Sequence, residues 1–275
     1  MTEQPTSTNT KPHIDVWTLA AIAAVAFILQ NILHEGLGHA GACLTVQCKP
    51  LALSTSYFQG DKSQTSDWGI RWIAFAGSFV NAIVGLLCWW LLRIFRKASA
   101  HLRLFLWLSM TVNLLSAAGY PLFSGVLGVG DWANMVKGWQ PAWLWRTGNI
   151  LFGLVIYMLC AWLCLKELSP MLGRTEEERI AHGNRLMMWS YLFGGAAATI
   201  GALLNPVGFG MILTSAASTF GANSALTWMP NLLEREAFKS GEHAPIELTR
   251  SLPWLIAATL LTLVHIFVLG PSIHF

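Results

Sequence analysis

Long apolar runs without a charged residue, separated by shorter polar connections, set the pattern of this chain. The runs cover residues 16–33, 72–92, 104–129, 147–165, 186–233 and 253–269. An α-helix rises about 1.5 Å per residue, so roughly 20 apolar residues cross the ~30 Å hydrocarbon core of a bilayer. The pattern predicts an all-α, polytopic membrane protein with about six transmembrane helices.

The run 186–233 is too long for a single span. It is broken by Asn205-Pro206 and is rich in small residues. One span followed by a re-entrant segment fits this run, and so does a pair of spans; we favour the re-entrant segment, which corresponds to residues 207–228. The connection 234–250 that follows is charged.

The two ends of the chain differ in character. Residues 1–15 are polar and rich in Thr, with Pro5 and Pro12, which predicts a disordered tail without the features of a signal peptide. Residues 16–275 are predicted to form a single transmembrane helical domain. The composition, 54% hydrophobic and 11% charged, agrees with an integral, multi-pass membrane protein. The net charge of +3 and the absence of a basic stripe argue against a nucleic-acid partner.

Basic residues are concentrated between the second and third runs. Arg93, Arg96, Lys97 and Arg103 lie there without an acidic residue, which predicts a cytoplasmic connection and a cytoplasmic N-terminus. On this arrangement nine of the 17 Lys and Arg residues fall inside and eight outside. The bias is slight, and it places the end of the first run near the outer face.

The five cysteines lack the spacing of a zinc knuckle or of a disulfide framework. We therefore interpret most of them as packing residues, with Cys43 as a weaker candidate for a metal ligand because it follows His39 by four positions. They are Cys43, Cys48, Cys88, Cys160 and Cys164.

The candidate chemistry lies at the end of the first run, in His34-Glu35-Gly36-Leu37-Gly38-His39. Ionisable groups at membrane depth are costly, so their default interpretation is functional. The zinc-peptidase template is H-E-x-x-H, with histidines one helical turn apart. Here the second histidine is at i+5, which on a regular helix turns the rings about 140° apart. A π-bulge would absorb the extra residue, and Gly36 and Gly38 tolerate such a distortion.

Other arrangements of this motif remain open at the level of sequence. Glu35 and His39 are themselves at i and i+4, so they could form the ligand pair with His34 behind them. The pattern H-E-x-x-G-H also resembles the variant motif of the dipeptidyl peptidase III family, which implies that zinc peptidases can use this spacing. Alternatively, the two histidines could be solvated at a helix end.

A carboxylate that could complete a ligand set follows the third run. Gly119-Tyr120-Pro121 breaks that run, and Asp131 comes after several further glycines. Together with Glu35, Asp131 is the acidic residue best placed to join a buried site. We predict Asp131 as the third metal ligand; the alternative is an interfacial residue at the start of a Trp-rich loop.

Three motifs in this order resemble the site-2 protease family of intramembrane zinc metalloproteases. They are the histidine motif, Ala76-Gly77-Ser78-Phe79-Val80-Asn81, and Asn113-Leu114-Leu115 leading to Pro121-Leu122; together they cover roughly residues 25–132 of a core at about 16–132. The resemblance implies that His34 and His39 bind Zn²⁺, that Glu35 is the general base, and that Asn81 and Asn113 orient the substrate backbone. It also implies hydrolysis of peptide bonds in transmembrane or membrane-proximal protein substrates.

The chain departs from the family at three places. The zinc motif carries an extra residue, Ser78 stands where the family has proline, and Phe123-Ser124-Gly125 stands where the family has L-D-G. The aspartate of L-D-G is the family's third ligand, so here that ligand must come from elsewhere, with Asp131 nearest. The family keeps its site towards the cytoplasm, whereas the charge count puts this motif near the outer face. We expect a bacterial inner-membrane protein.

Two other classes of function compete with proteolysis. The fold could have lost proteolysis and serve as a metal-binding or regulatory membrane protein, which the missing L-D-G favours. It could also be an ion or proton transporter, with His34, Glu35, His39 and Asp131 along the pathway. A transporter calls for polar residues across the full membrane depth, which the sequence lacks.

Overall fold

The computed structural model describes residues 13–238 and 245–275 and is mainly helical. The helices are α1 Val16–Leu44, α2 Asp67–Ile94, α3 Ala100–Leu127, α4 Asp131–Met135, α5 Ala142–Met171, α6 Glu176–Leu204, α7 Phe209–Ala222, α8 Ala225–Trp228 and α9 Leu252–Leu269. Six of them, α1, α2, α3, α5, α6 and α9, are long and apolar enough to span a membrane. The predicted all-α polytopic fold is confirmed, but the break predicted at Gly119-Tyr120-Pro121 is wrong, because α3 continues through Pro121 to Leu127.

The helices begin where side chains can accept the free amides of a first turn. The accepting side chains are Asp15 for α1, Ser66 for α2, Ser99 for α3 and Thr175 for α6. Of the predicted tail 1–15, residues 1–12 lie outside the described residues. The remainder is packed: Ile14 is buried and pairs with Leu248.

Helices α1 and α3 form the centre of the bundle. In their most apolar windows 61% of α1 and 78% of α3 is buried, against 17–44% in the other spanning helices. Trp107 of α3 is fully buried, and its indole Nε1 donates to the carbonyl of Cys164 in α5 at 2.8 Å. The outer helices expose apolar side chains, as a bilayer requires. Residues of α1 and α3 are therefore the most buried of the spanning helices.

Residues 209–238 pass through the bundle as a broken segment. The Tyr157 hydroxyl, midway along α5, donates to the Ala222 carbonyl at 2.9 Å and accepts the Ala225 amide at 3.0 Å. Further on, the Phe238 carbonyl accepts a hydrogen bond from Ser169 at the far end of α5. The segment thus reaches the opposite end of the bundle, which differs from the re-entrant segment that we favoured. Tyr157 makes the break tolerable because it satisfies the freed backbone groups.

This path changes the distribution of charge between the two ends of the bundle. Among the described residues, five basic side chains lie at the end carrying α4: Lys49, Lys62, Arg71, Lys137 and Arg146. Ten lie at the other end: Arg93, Arg96, Lys97, Arg103, Lys166, Arg174, Arg179, Arg185, Arg235 and Arg250. The sequence pattern predicts Arg235 and Arg250 at the end that carries α4. The structure places them at the opposite end, because the broken segment crosses the bundle. The bias is therefore stronger than the sequence predicted.

A small antiparallel sheet caps the end that carries α4. Its strands are β1 Lys49–Leu53, β2 Phe58–Asp61 and β3 Ile273–His274, in the order β2-β1-β3. A disulfide joins Cys43 at the end of α1 to Cys48 just before β1. The sequence did not predict this disulfide, which forms because the turn after α1 brings Cys48 back beside Cys43. Both cysteines also pack in a small apolar cluster with Ile73 and Ala76, in agreement with the packing role predicted for most of the cysteines. Cys43 is consequently no metal ligand.

Candidate metal centre

The motif in α1 is wound as a π-helix over Leu33–Ala40, as the i+5 spacing predicted. The Gly41 amide donates to the Gly36 carbonyl, which is the i to i+5 bond of such a turn. The extra residue returns both histidines to one face, and their Nε2 atoms are 3.2 Å apart. The structure thus pairs His34 with His39, and not Glu35 with His39.

Asp131 completes a compact group with the two histidines. Its Oδ2 lies 3.3 Å from His34 Nε2 and 3.3 Å from His39 Nε2. With the 3.2 Å edge between the rings, three potential ligand atoms form a nearly equilateral triangle. Ligand atoms bound to one ion at ~2.0–2.1 Å with tetrahedral angles lie roughly 3.3–3.4 Å apart. The buried His34-His39-Asp131 group could therefore hold a metal ion.

The charge state of Asp131 also suits a cation. Burial acts to raise the pKa of its carboxyl group, but His39 and His34 beside it hold the pKa well below its usual range. A carboxyl group must be ionised to bind a metal ion, and the direction of this pKa shift favours the ionised form.

The ring nitrogen of His39 that points away from the metal group, Nδ1, is held by the backbone of α2. His39 Nδ1 lies 2.6 Å from the carbonyl oxygen of Ile73, a distance at which the ring N–H donates to it. The proton is then on Nδ1, so the lone pair of Nε2 points into the triangle. This contact orients His39 for metal binding, and no sequence pattern predicts it because the acceptor is a main-chain atom.

The outer nitrogen of His34 faces Asn81. The amide Nδ2 lies 3.1 Å from His34 Nδ1, while the buried Asn81 Oδ1 has no partner among the described residues. A half-turn of the amide exchanges its nearly isosteric ends and lets Oδ1 accept the Nδ1–H of His34. In that orientation Asn81 Oδ1 and the Nδ1–H of His34 are hydrogen-bonded to each other, and Nε2 of His34 is free for a metal ion.

The two asparagines predicted to orient substrate lie away from the open side of the centre. Asn81 is fully buried behind His34, and Asn113 donates to the Ser109 carbonyl one turn earlier in α3 at 2.8 Å. Neither lines the cavity described below. Substrate orientation by Asn81 and Asn113 therefore stays a prediction, and the contact that is present makes Asn81 a positioning residue for His34.

Gly77 and Tyr120 enclose the rings, and sequence reasoning gave neither a role at the metal group. A Cβ atom on Gly77 would lie 2.6 Å from His34 Nε2 and 2.7 Å from His39 Nε2, so only glycine lets α2 approach this closely. The Tyr120 ring stacks on His34 with 4.7 Å between centroids and 21° between planes. The signals available were the Gly in Ala76-Gly77-Ser78 and the aromatic residue before Pro121.

Short helix α4 delivers Asp131, and α2 holds α4 in place. Trp132 Nε1 donates to Ser78 Oγ at 3.1 Å, and Arg71 donates to the carbonyls of Met135 and Lys137. Ser78 thus anchors the residue next to Asp131.

A cavity of about 420 Å³ opens beside the metal group. Glu35, His39 and Asp131 lie in its wall, with Lys62 and Lys137 also lining it. Glu35 is 8% exposed, and the described structure places it outside the three-residue ligand group. The carboxylate of Glu35 is therefore available to act on a molecule in the cavity.

No family model, curated protein or solved structure matches this chain. Fold and site together define a multi-pass membrane protein in which a buried histidine-histidine-aspartate group could hold a metal ion.

Proposed function

We propose that this chain is an intramembrane zinc metalloprotease that hydrolyses peptide bonds in transmembrane or membrane-proximal protein segments. The observation that carries the proposal is the triangle of His34, His39 and Asp131 with Glu35 beside it in a cavity wall. Catalytic zinc sites use three protein ligands of these types and leave a fourth position for water. The resemblance to the site-2 protease family supports the same reaction.

The roles of the chain's own residues follow from their positions. A zinc ion held by His34, His39 and Asp131 would supply a Lewis acid and a water molecule of lowered pKa. Glu35 accepts the proton of the attacking water and passes it to the leaving amine. Ile73 and Asn81 hold the two rings through their outer nitrogens. The cavity admits water to a centre that is otherwise surrounded by apolar helices.

The metal content of the purified protein tests this proposal. We expect about one zinc ion per wild-type chain and less than about a tenth of that in His39→Ala, because a catalytic site needs three protein ligands. His274→Ala, which removes an exposed histidine of β3, should keep the wild-type content. Elemental analysis after exhaustive dialysis measures both. A metal-free wild type, or iron in place of zinc, would contradict the zinc assignment.

We further propose that the end carrying the metal group faces the compartment outside the cytoplasm, in a bacterial inner membrane. Basic residues favour the cytoplasmic side, and the opposite end carries ten of the described ones against five. The disulfide between Cys43 and Cys48 belongs to an oxidising compartment and lies at the metal end. Substrates would then be reached from outside the cytoplasm, opposite to the side used by the site-2 protease family.

Cysteine labelling in intact cells tests this orientation. We expect a membrane-impermeant maleimide tag to label the partly exposed Cys48 only after treatment with an impermeant reductant, whereas Cys43 is buried and stays unlabelled in the folded protein. A cysteine introduced by Lys97→Cys at the opposite end should be labelled only after the cells are opened. The reverse pattern would show that the metal end faces the cytoplasm.

A further inference from the structure

A second cavity, of about 680 Å³, lies at the end of the bundle opposite the metal group. It is formed where α2 and α5 end and α3 begins. Its charged lining residues are Arg93, Arg96, Arg103, Lys166 and Glu167. The cavity therefore contains four cationic side chains and one carboxylate.

The single carboxylate is already engaged by one of these cations. Glu167 Oε1 accepts hydrogen bonds from Arg93 Nε at 3.1 Å and Arg93 Nη2 at 2.5 Å, and from Trp89 Nε1 at 3.0 Å. Lys166 lies over the Trp162 ring at 4.8 Å, a contact that keeps its charge. No carboxylate of the described residues pairs with Arg96, Arg103 or Lys166, so within this part of the chain their three positive charges are uncompensated.

Arg103 gives the clearest sign of a missing ligand. Its Nε is buried and has no hydrogen-bond partner among the described residues. Buried donors almost always have an acceptor, because an unmade hydrogen bond costs the desolvation of the group. Guanidinium groups prefer planar or tetrahedral oxyanions, which accept two parallel N–H bonds. The chemistry that fits this cavity is an anion with several acceptor oxygens.

We propose that the cavity formed by Arg96, Arg103 and Lys166 binds the phosphate group of an anionic phospholipid. The cavity lies where three membrane-spanning helices end or begin, which is the level of lipid headgroups, and basic pockets between helices at this level bind such groups. Leu92 and Met171 are buried and close the inner wall of the cavity with apolar side chains. The site is independent of the metal group, since it shares none of its residues.

Lipid binding in detergent tests the proposal. We expect native mass spectrometry of the wild type to show retained phosphatidylglycerol but not phosphatidylcholine, and the phosphatidylglycerol to raise the thermal unfolding midpoint. Removing one basic residue weakens such binding roughly fivefold, so Arg96→Gln combined with Arg103→Gln should weaken it roughly 25-fold. Arg96→Gln alone should weaken lipid binding roughly fivefold. Because Arg96 is exposed, this variant does not disturb a buried group.

The controls separate this site from general surface charge. Arg174→Gln removes an exposed arginine at the same end, outside the cavity, and should leave lipid binding unchanged. Inorganic phosphate alone should stabilise the wild type less than the lipid; stabilisation of equal size would identify free phosphate as the ligand and overturn the lipid assignment. Equal lipid retention in the wild type and both Gln variants would overturn the site.

Discussion

Glu35→Gln should keep its metal ion and lose roughly 10²–10⁴-fold in the rate of peptide hydrolysis, the range that a general acid-base group contributes. Glu35 lies in the cavity wall but outside the ligand triangle, so the amide leaves His34, His39 and Asp131 unchanged. It removes only the base that takes the proton from water. The measurement pairs metal content with cleavage of a quenched fluorescent peptide library in detergent micelles.

The matched control is Glu247→Gln, which changes an exposed glutamate at the opposite end of the bundle and should cleave at the wild-type rate. Loss of metal in Glu35→Gln would make Glu35 a ligand, in conflict with the triangle. Unchanged cleavage in this variant would exclude Glu35 as the base and, with it, the proposed mechanism. A wild-type protein that binds zinc without cleaving any peptide would favour a metal-binding or regulatory role.

Gly77→Ala should lower zinc affinity by about 10–100-fold or more, the effect typical of disturbing the contacts that orient metal ligands. The added methyl group would lie 2.6–2.7 Å from the Nε2 atoms of both His34 and His39, closer than real Cβ contacts. Since alanine is a better helix former than glycine, the change should make helix α2 itself more stable. The loss would therefore come from the rings being pushed apart. Competition with a fluorescent zinc chelator measures the affinity.

Gly148→Ala provides the matched control, because a Cβ atom at this helical position in α5 meets nothing within 4 Å. It should bind zinc as the wild type does. The thermal unfolding midpoint of each metal-free variant separates a local effect on the rings from general loss of folding. Wild-type zinc affinity in a folded Gly77→Ala protein would contradict the close approach of α2 to the metal group.

Much of the site could be predicted from local pattern. The i+5 spacing of His34 and His39, with Gly36 and Gly38 between them, led to a π-turn because no regular helix aims both rings at one point. Asp131 was predicted because few carboxylates lie next to an apolar run. The first prediction depends on helix geometry and the second on the high cost of charge in a membrane, and both use only residue spacings that can be read along the sequence.

Other features were beyond the sequence because they join segments far apart in the chain. Asn81 was predicted to orient substrate, but its contact with His34 depends on how α2 packs against α1. The course of residues 209–238 depends on Tyr157 of α5. Its hydroxyl group forms hydrogen bonds with the backbone groups of Ala222 and Ala225 that the break between α7 and α8 leaves free. The disulfide depends on the direction of the turn after α1.

The sequence by itself determined that this is a membrane protein of about six apolar helices, and it predicted His34, His39 and Asp131 as metal ligands while leaving a Glu35–His39 pair open. Apolar length and the placement of rare ionisable groups are local properties, and the bilayer makes both decisive. The tertiary structure alone decided which residues orient those ligands, through the Ile73 carbonyl, Asn81 and the bare backbone of Gly77. These contacts join α1 to α2, and helix packing fixes them to fractions of an ångström, which no periodicity along the chain encodes.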